Sequence, residues 1–498
     1  MLRRGGAAID AAMAVQMVLN LVEPQSSGLG GGGFILHYAA AAAKLSAYDG
    51  RETALVVGGK SIGVPGVLRA LALAHARHGK LPWAELFQPA IRLATEGYPL
   101  SPRLHSLLGW VRLPARDQAM RRMYYQDDDT PKPVGTILKN PALADVLRAI
   151  AARGADAFYA GAIAGDIAHT VANAPNPGDL STDDLAHYRA KEREPVCAPY
   201  RQWKVCGMPP PSSGGVAVLQ VLGMLQRLAP GALRADPVPA AHLIAEAERL
   251  AYADRERYLA DADFVPVPVA GLLAPGYLAE RVALIRPDHA RGHALPGTPP
   301  GAPLAELADD ASPELPSTSH LSIVDAAGNA VAMTSSIKYA FGSQQMVRGF
   351  LLNNQLTNFS FVAEQDGKRV ANRIAPGKRP RSSMAPTMVF DREGKLVLAL
   401  GSAGGSAIIN HVAKTLVAAL DWNMDIQQAI ALPNFGNRNG PTELERGTAA
   451  EDWAGPLRAL GHEVRMIYMT SGEHAIQRTR EGWRGGADPR REGAARGD

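Results

Sequence analysis

The chain changes character once along its length, at a proline-rich stretch between Arg286 and Pro316. This stretch carries seven prolines among Gly, Ala and acidic residues and shows no apolar period, so it is predicted to be a loop. Helical periodicity dominates the sequence before it, whereas the sequence after it alternates as strands do. Helices layered on antiparallel sheets form an α+β fold. The position of this loop therefore predicts an α+β architecture.

The elements on either side of the loop follow from the spacing of apolar residues. Helices are predicted over residues 7–22, 63–79, 83–96, 141–153 and 240–261. Residues 196–208 have the pattern of a strand hairpin that ends before 209–215. Beyond the loop, strand pairs are predicted around the turns at 325–329 and 391–394, followed by a helix over 407–421.

Composition narrows the class of protein. The chain has 498 residues, and at roughly 150 residues per domain this length predicts about three domains. Lys and Arg number 52 and Asp and Glu number 48, so the formal net charge of +4 gives no support to nucleic-acid binding. The sequence contains no run of 18 apolar residues, so no membrane-spanning helix is expected.

Two short features bear on the cellular compartment. Residues 1–4 followed by an Ala-rich stretch imitate a signal peptide, but polar residues interrupt the apolar region and no clean cleavage site follows. Residues 7–22 are therefore interpreted as a buried helix, and the chain is expected to begin inside a structural element. Cys197 and Cys206 flank a short turn and form either one cross-strand disulfide or two unrelated half-buried thiols; the sequence favours the thiols.

The junction Ser317–Thr318 is the first candidate for chemistry, since it lies where the loop meets a strand. If this peptide bond were cut, Thr318 would own both a hydroxyl nucleophile and an α-amine whose pKa of about 7.7–8.0 suits a base. From spacing alone, a strand cap is the more ordinary interpretation. The glycine-rich turn 401–406 follows a strand and precedes a helix, so its backbone N–H groups could hold a developing negative charge or could simply satisfy positive φ angles.

Other motifs carry weaker signals. The glycine run at 28–33 contains GxGxxG, but it lies between a helix and a strand, so close backbone packing is favoured over nucleotide binding. Arg51 ends a strand and could hold a carboxylate, although a surface ion pair with Asp49 or Glu52 is favoured from the residues alone. His320 is expected to be structural. The His and carboxylate spacings match no metal motif.

Taken in order, these motifs resemble the γ-glutamyltranspeptidase (γ-glutamyltransferase) family of N-terminal-nucleophile hydrolases. The resemblance is collinear over almost the whole chain. It rests on segments 5–12, 23–33, 49–53, 209–215, 318–331, 351–355, 381–386 and 401–405. It implies a four-layer αββα sandwich with antiparallel sheets. It also implies self-cleavage between Ser317 and Thr318, giving a large subunit (1–317) and a small catalytic subunit (318–498) that stay interlocked as a heterodimer.

The resemblance also assigns roles to residues. Thr318 would be the nucleophile, Ser336 would occupy the position of a supporting threonine, and the amides of Gly404 and Gly405 would stabilise the oxyanion. The substrate would meet a further set of side chains, of which Arg51, Ser382 and Ser383 match positions that hold the glutamyl α-carboxylate. That set is Arg51, Lys338, Gln355, Asn358, Ser382 and Ser383. The implied activity is hydrolysis or transfer of γ-glutamyl groups from compounds such as glutathione, with no metal or organic cofactor.

Two residues differ from the family pattern and leave alternative functions open. Lys338 falls where many members carry Asn, and Asn358 falls where transpeptidases carry an Asp that pairs with the substrate α-ammonium. Together they favour an acyl group without the amine, such as glutaryl, as in the related cephalosporin acylases. An unprocessed, inactive relative is the third alternative. Periplasmic or secreted localisation is implied by the resemblance, although the chain shows no convincing signal peptide.

Overall fold

The computed structural model describes residues 1–55, 60–111, 117–229, 231–310, 312 and 317–497. The α-helices before residue 317 are α1 (Ala8–Val22), α2 (Val67–His78), α3 (Gln88–Glu96), α4 (Pro102–Val111), α5 (Gln118–Tyr124), α6 (Pro141–Arg153), α7 (Asp156–Tyr159), α8 (Ala162–Ala172), α9 (Thr182–His187), α10 (Gly214–Leu225), α11 (Pro237–Tyr258), α12 (Val269–Leu272) and α13 (Pro275–Val282). Those after it are α14 (Ile408–Leu420), α15 (Ile426–Ala431) and α16 (Ala454–Ala459). Short 3₁₀ turns occupy Leu2–Arg4, Ala40–Ala42, Trp83–Phe87, Gln355–Asn358, Gly405–Ala407 and Ala449–Trp453.

The strands are β1 (Gly32–Ala39), β2 (Lys44–Gly50), β3 (Tyr98–Pro99), β4 (Ile137–Leu138), β5 (Lys191–Arg193), β6 (Val196–Tyr200), β7 (Trp203–Gly207), β8 (Leu307–Ala308), β9 (Ser319–Val324), β10 (Ala330–Ser336), β11 (Met346–Val347), β12 (Phe350–Leu351), β13 (Glu364–Gln365), β14 (Lys368–Val370), β15 (Thr387–Phe390), β16 (Leu396–Gly401), β17 (Phe435–Asn437), β18 (Thr442–Glu445), β19 (Val464–Ile467), β20 (His474–Thr479) and β21 (Gly482–Ala487). The predicted helices and strand pairs are confirmed with small shifts at their ends. In the predicted loop, the described residues are irregular apart from β8, and residues 311 and 313–316 lie outside the described ranges.

Two antiparallel sheets form the centre of the molecule. The first has the order β5-β2-β1-β10-β9, and the second has the order β21-β20-β16-β15-β7-β6. Each sheet combines strands that precede residue 317 with strands that follow it. The length-based estimate of about three domains therefore does not describe this arrangement, because both sheets join segments that are far apart in the sequence.

Alternation along β1 explains the layering. Phe34 and Leu36 are fully buried in the core between the two sheets, and the ring of Tyr38 lies 5.0 Å from that of Phe390 on the second sheet. Ile35 points the other way, into a second core that the first sheet shares with α1, α2 and α3. Helices α10 and α14 pack against the second sheet, and α11 packs against α10. The expected αββα sandwich is confirmed.

Local sequence signals fix the helix ends. In α6, the side chain of Asn140 accepts a hydrogen bond from the backbone N–H of Leu143 at 3.1 Å, and Pro141 occupies the first turn. Gly154 ends the helix with a φ of 79°, a conformation that costs glycine little. Within the described ranges, no helix combines the length and the apolar content that crossing a bilayer requires.

The two cysteines form a disulfide, which overturns the favoured interpretation of two unrelated thiols. Cys197 on β6 is directly opposite Cys206 on β7 in the hairpin register, and their Cα atoms are 4.1 Å apart. Cross-strand partners of this kind are close enough to be bridged. The spacing in the sequence was compatible with the bond, but it could not give the register that places the two residues face to face.

Candidate active site

Thr318 lies at the entrance to β9, on the edge of the first sheet. Both Ser317 and Thr318 are buried, with 6% and 3% of their surface exposed. The Ser317 hydroxyl donates a hydrogen bond to the backbone carbonyl of Gln25 at 2.8 Å. Ser317 is therefore held in place, because its hydroxyl is bonded to the segment that follows α1.

Two hydroxyl groups meet at the carbonyl oxygen of Ser317. Ser336 Oγ donates to this oxygen at 2.7 Å, and Thr318 Oγ1 donates to it as well. Ser336 reaches it from β10, the strand that pairs with β9 through Ser335 and Ser319. Hydrogen bonds to a carbonyl oxygen polarise it and stabilise the negative charge that develops when its carbon is attacked. The arrangement thus suits attack on the Ser317–Thr318 peptide bond.

The glycine run after α1 brings these groups together. A side-chain carbon on Gly31 would lie 2.3 Å from the carbonyl oxygen of Ser336, and one on Gly30 would lie 2.1 Å from that of Leu351. Only glycine permits such a close backbone approach. The run therefore serves backbone packing, as predicted from its position between a helix and a strand.

The predicted glycine turn lies where β16 of the second sheet approaches β9. A side-chain carbon on Gly401 would lie 2.3 Å from the ring of His320, so the end of β16 sits against the start of β9. Gly404 and Gly405 follow with φ angles of 131° and 62°. Gly405 lines the same cavity as Thr318, whereas Gly404 packs against His411.

His320 is a structural residue. Its ring nitrogens lie 2.8 Å from Thr334 Oγ1 and 3.0 Å from Ser322 Oγ. Burial lowers the pKa of His320 well below its ordinary value, so the ring is neutral near pH 7. Since both nitrogens are occupied by neighbouring strand residues, the prediction of a structural histidine agrees with the contacts.

Nine of the ten predicted site residues line one cavity; Gly404 is the exception. The lining includes Thr318, Ser336, Gly405, Arg51, Lys338, Gln355, Asn358, Ser382 and Ser383. The cavity volume is about 30 Å³, which is room for about two water molecules. Ser317 is also part of the lining.

Arg51 is buried, which shows that the favoured surface ion pair is wrong. Only 1% of its surface is exposed. Its Nε donates to the carbonyl of Pro380 and its Nη2 to that of Arg381, each at 3.1 Å, and Nη1 lies 3.4 Å from Glu52 Oε2. Burial raises the pKa of Glu52 to about 7 in spite of the neighbouring guanidinium. Arg51 directly follows β2 and packs against the 380–383 loop. The spacing of residues in the sequence does not reveal this contact.

The 380–383 loop is held by the 209–215 segment and by an arginine that sequence reasoning missed. Ser213 donates to the carbonyl of Ser382 from its N–H and from its hydroxyl, both at 2.7 Å. Arg255 Nη2 donates to Ser383 Oγ at 2.7 Å. Arg255 lies on the long helix α11, where nothing in the pattern distinguishes it from a surface residue. Ser382 and Ser383 are thus fixed at the cavity wall.

Lys338 and Asn358 place a cation and an amide in the wall. Lys338 Nζ donates to Thr357 Oγ1 at 2.6 Å, and its backbone has a left-handed φ of 76°. Asn358 Nδ2 lies 3.4 Å from the carbonyl of Arg381. Within the described ranges, neither Asn358 Oδ1 nor Gln355 Nε2 has a hydrogen-bond partner although both atoms are buried. A ligand in the cavity could satisfy these two atoms.

No group of three or more His, Cys, Asp or Glu side chains in the described part of the chain is placed to bind a metal ion. The residues that line the cavity are hydroxyl, amide and basic groups together with glycine and apolar residues. Such a set can bind an anionic organic group and can supply a hydroxyl nucleophile.

Comparison with known proteins places this site in context. The family model described as Gamma-glutamyltranspeptidase matches residues 1–497. The glutathione hydrolase proenzyme of Bacillus subtilis (strain 168) is 31% identical, covering 100% of this chain and 88% of that protein. The acylase ACY 1 proenzyme of Pseudomonas sp. (strain SE83) is 35% identical, covering 95% and 86%. The crystal structure of cephalosporin acylase from Bacillus halodurans superposes with a TM-score of 0.84 at 26% identity, covering 98% and 91%.

Proposed function

The chain belongs to the gamma-glutamyltranspeptidase family of N-terminal-nucleophile hydrolases, and we propose that it is a self-processing enzyme that hydrolyses or transfers γ-glutamyl groups. The observation that carries the proposal is the meeting of the Thr318 and Ser336 hydroxyls at the carbonyl oxygen of Ser317. The relatives named as proenzymes support processing of a precursor.

In the first reaction, Thr318 Oγ1 attacks the carbonyl carbon of Ser317. Ser336 Oγ stabilises the oxyanion, the C–N bond breaks, and the acyl group moves from nitrogen to oxygen while the proton of the Thr318 hydroxyl passes to the released nitrogen. Water then hydrolyses the new ester, which leaves a carboxylate on Ser317 and a free α-amine on Thr318. The products are residues 1–317 and 318–498. Each sheet contains strands from both pieces, so the two pieces would stay associated.

In turnover, the α-amine of Thr318 takes the proton of its own hydroxyl, and Oγ1 attacks the γ-carbonyl of the substrate. The amides of Gly404 and Gly405 stabilise the oxyanion, and the amine leaves with a proton as a γ-glutamyl ester forms. Water or an amino group then resolves this ester. Arg51, Ser382 and Ser383 would hold the α-carboxylate of the glutamyl group.

The second candidate function is an amidase for an acyl group without the amine, such as glutaryl. Two observations favour it: Lys338 presents a cation to the cavity, and Asn358 supplies an amide in place of a carboxylate. A neighbouring cation disfavours a substrate ammonium. The acylase named among the sequence relatives and the cephalosporin acylase structure agree with this alternative.

Kinetics on matched substrates separates the two functions. The values of kcat/KM for γ-glutamyl-p-nitroanilide and glutaryl-p-nitroanilide are measured on the same cleaved preparation. A ratio well above one in favour of γ-glutamyl supports the main proposal, and a ratio well below one supports the amidase. A chain that remains whole after prolonged incubation and turns over neither substrate would instead be an unprocessed, inactive relative.

A further inference from the structure

The C-terminal tail reaches back to the nucleophile. After β21, Arg491 Nη1 donates a hydrogen bond to the backbone carbonyl of Thr318 at 2.7 Å. Its Nε and Nη2 donate to the carbonyl of Thr470 at 3.2 Å and 3.0 Å. One planar guanidinium therefore joins the start of β9 to the segment before β20, a geometry that the fixed fork of arginine donors suits.

The surroundings are shaped to accept this side chain. Gly472 has a φ of 55°, and a side-chain carbon on it would lie 2.4 Å from Arg491 Cδ. Any other residue at this position would displace the guanidinium. Burial and the nearby Arg103 lower the pKa of Arg491 to about 10, so the group remains charged near pH 7.

The same segment also supports the glycine turn of the site. The carbonyl of Ser471 accepts hydrogen bonds from the N–H of Ala403 at 2.7 Å and from Ser402 Oγ at 3.0 Å. The Ser471 hydroxyl in turn donates to Asp488 in the tail. Arg491 thus connects Thr318 to the residues that carry Gly404 and Gly405.

The β-ladder does not provide this support for Thr318. The pairing of β9 with β10 begins at Ser319 and Ser335, so Thr318 lies one residue outside the ladder. Once the bond to Ser317 is cut, Thr318 becomes a chain end, and chain ends fray unless they are tied down. A displacement of about 1 Å at a reacting group can cost roughly 10²-fold in rate.

We propose that Arg491 is a positioning residue that holds the carbonyl of Thr318 at a fixed position relative to the Gly404–Gly405 turn. The inference rests on the proposed function, because it needs Thr318 to be the nucleophile. Arg491 binds the backbone of Thr318 and takes no part in bond breaking or proton transfer.

The test compares Arg491→Ala, Arg491→Lys and Gly472→Ala with Arg496→Ala, which removes the same charge from an exposed position on the same tail. Steady-state kinetics on γ-glutamyl- and glutaryl-p-nitroanilide is measured on cleaved protein, with the melting temperature as a check on folding. We expect Arg491→Ala to lower kcat at least tenfold with KM within threefold of wild type. Arg491→Lys should recover part of kcat, Gly472→Ala should lower it although the charge is kept, and Arg496→Ala should stay within twofold.

An Arg491→Ala enzyme with kcat within twofold of wild type, or with a raised KM and an unchanged kcat, would overturn the inference. If this variant does not fold, Arg491→Lys and Gly472→Ala decide the question in the same way. A folded Arg491→Ala chain that stays uncut, beside an Arg496→Ala chain that cuts, supports the inference because the same hydroxyl performs the cleavage. A wild-type chain that neither cuts nor turns over refutes the proposed function itself, whatever the variants do.

Discussion

Replacing Ser336 by Ala removes one of the two hydroxyls at the scissile carbonyl and should slow self-cleavage strongly. Ser336 Oγ lies 2.7 Å from the carbonyl oxygen of Ser317, which becomes the oxyanion in the proposed attack by Thr318. The same hydroxyl accepts a hydrogen bond from the N–H of Lys338 at 2.8 Å, so its position is fixed from both sides.

The expected loss of cleavage rate follows from the negative charge that develops on the carbonyl oxygen of Ser317 in the proposed reaction. In the ground state a neutral hydrogen bond contributes about 0.5–1.5 kcal/mol. Removing one preorganised donor to an oxyanion costs about 2.7–4 kcal/mol, or roughly 10²–10³-fold in rate. We therefore expect Ser336→Ala to cut itself roughly 10²–10³ times more slowly than wild type, while its stability falls by only about 1 kcal/mol.

The assay follows the uncut chain on a denaturing gel from the moment of purification, with the melting temperature measured in parallel. Ser336→Thr is the matched control because it keeps the hydroxyl and adds one methyl group; its rate should stay within about tenfold of wild type, since the donor to the oxyanion remains. A folded Ser336→Ala chain that cuts within threefold of the wild-type rate would show that this hydroxyl does not stabilise the oxyanion.

Asn358→Asp supplies a carboxylate to the cavity and should raise the ratio of kcat/KM for γ-glutamyl- over glutaryl-p-nitroanilide at least tenfold, since a hydrogen bond to a charged group is worth about 1.5–3 kcal/mol; an unchanged ratio would mean that residue 358 does not meet the substrate amine. Arg51→Lys should raise KM about tenfold or more, because one ammonium cannot serve both the loop carbonyls and a substrate carboxylate; an unchanged KM would count against Arg51 as the carboxylate ligand. The double variant Cys197→Ser/Cys206→Ser opens a bridge of sequence separation 9 and should lower the free energy of unfolding in urea by about 2–3 kcal/mol with kcat retained; an equal stability would show that the bridge adds nothing.

Much of the fold could be predicted because its periodicities are strong. The hairpin 196–208, the strand pairs after the loop and the helix that became α14 all follow from local patterns. The stacking of the sheets came from the family resemblance, since no local pattern shows that strands before and after residue 317 share each sheet. Pairing between distant segments is decided by the whole core.

The sequence-based predictions that were wrong or missing concern residues whose positions depend on tertiary contacts. Arg51 has the local pattern of a surface ion pair, yet the 380–383 loop closes over it. The disulfide required the register of β6 and β7. Arg255 and Arg491 contact the site from a helix and from the tail, far away in the sequence, and neither lies in a motif. Side chains that act through contacts with distant parts of the chain leave no periodic signal.

The fate of the Ser317–Thr318 bond in wild type and in Thr318→Ala is the most direct test of the proposed function. Mass spectrometry and N-terminal sequencing follow both proteins during prolonged incubation. We predict that wild type yields two pieces, the second beginning at Thr318, and that Thr318→Ala remains a single folded chain without turnover. A wild-type chain that stays whole, or a Thr318→Ala chain that separates at the same bond, would contradict it.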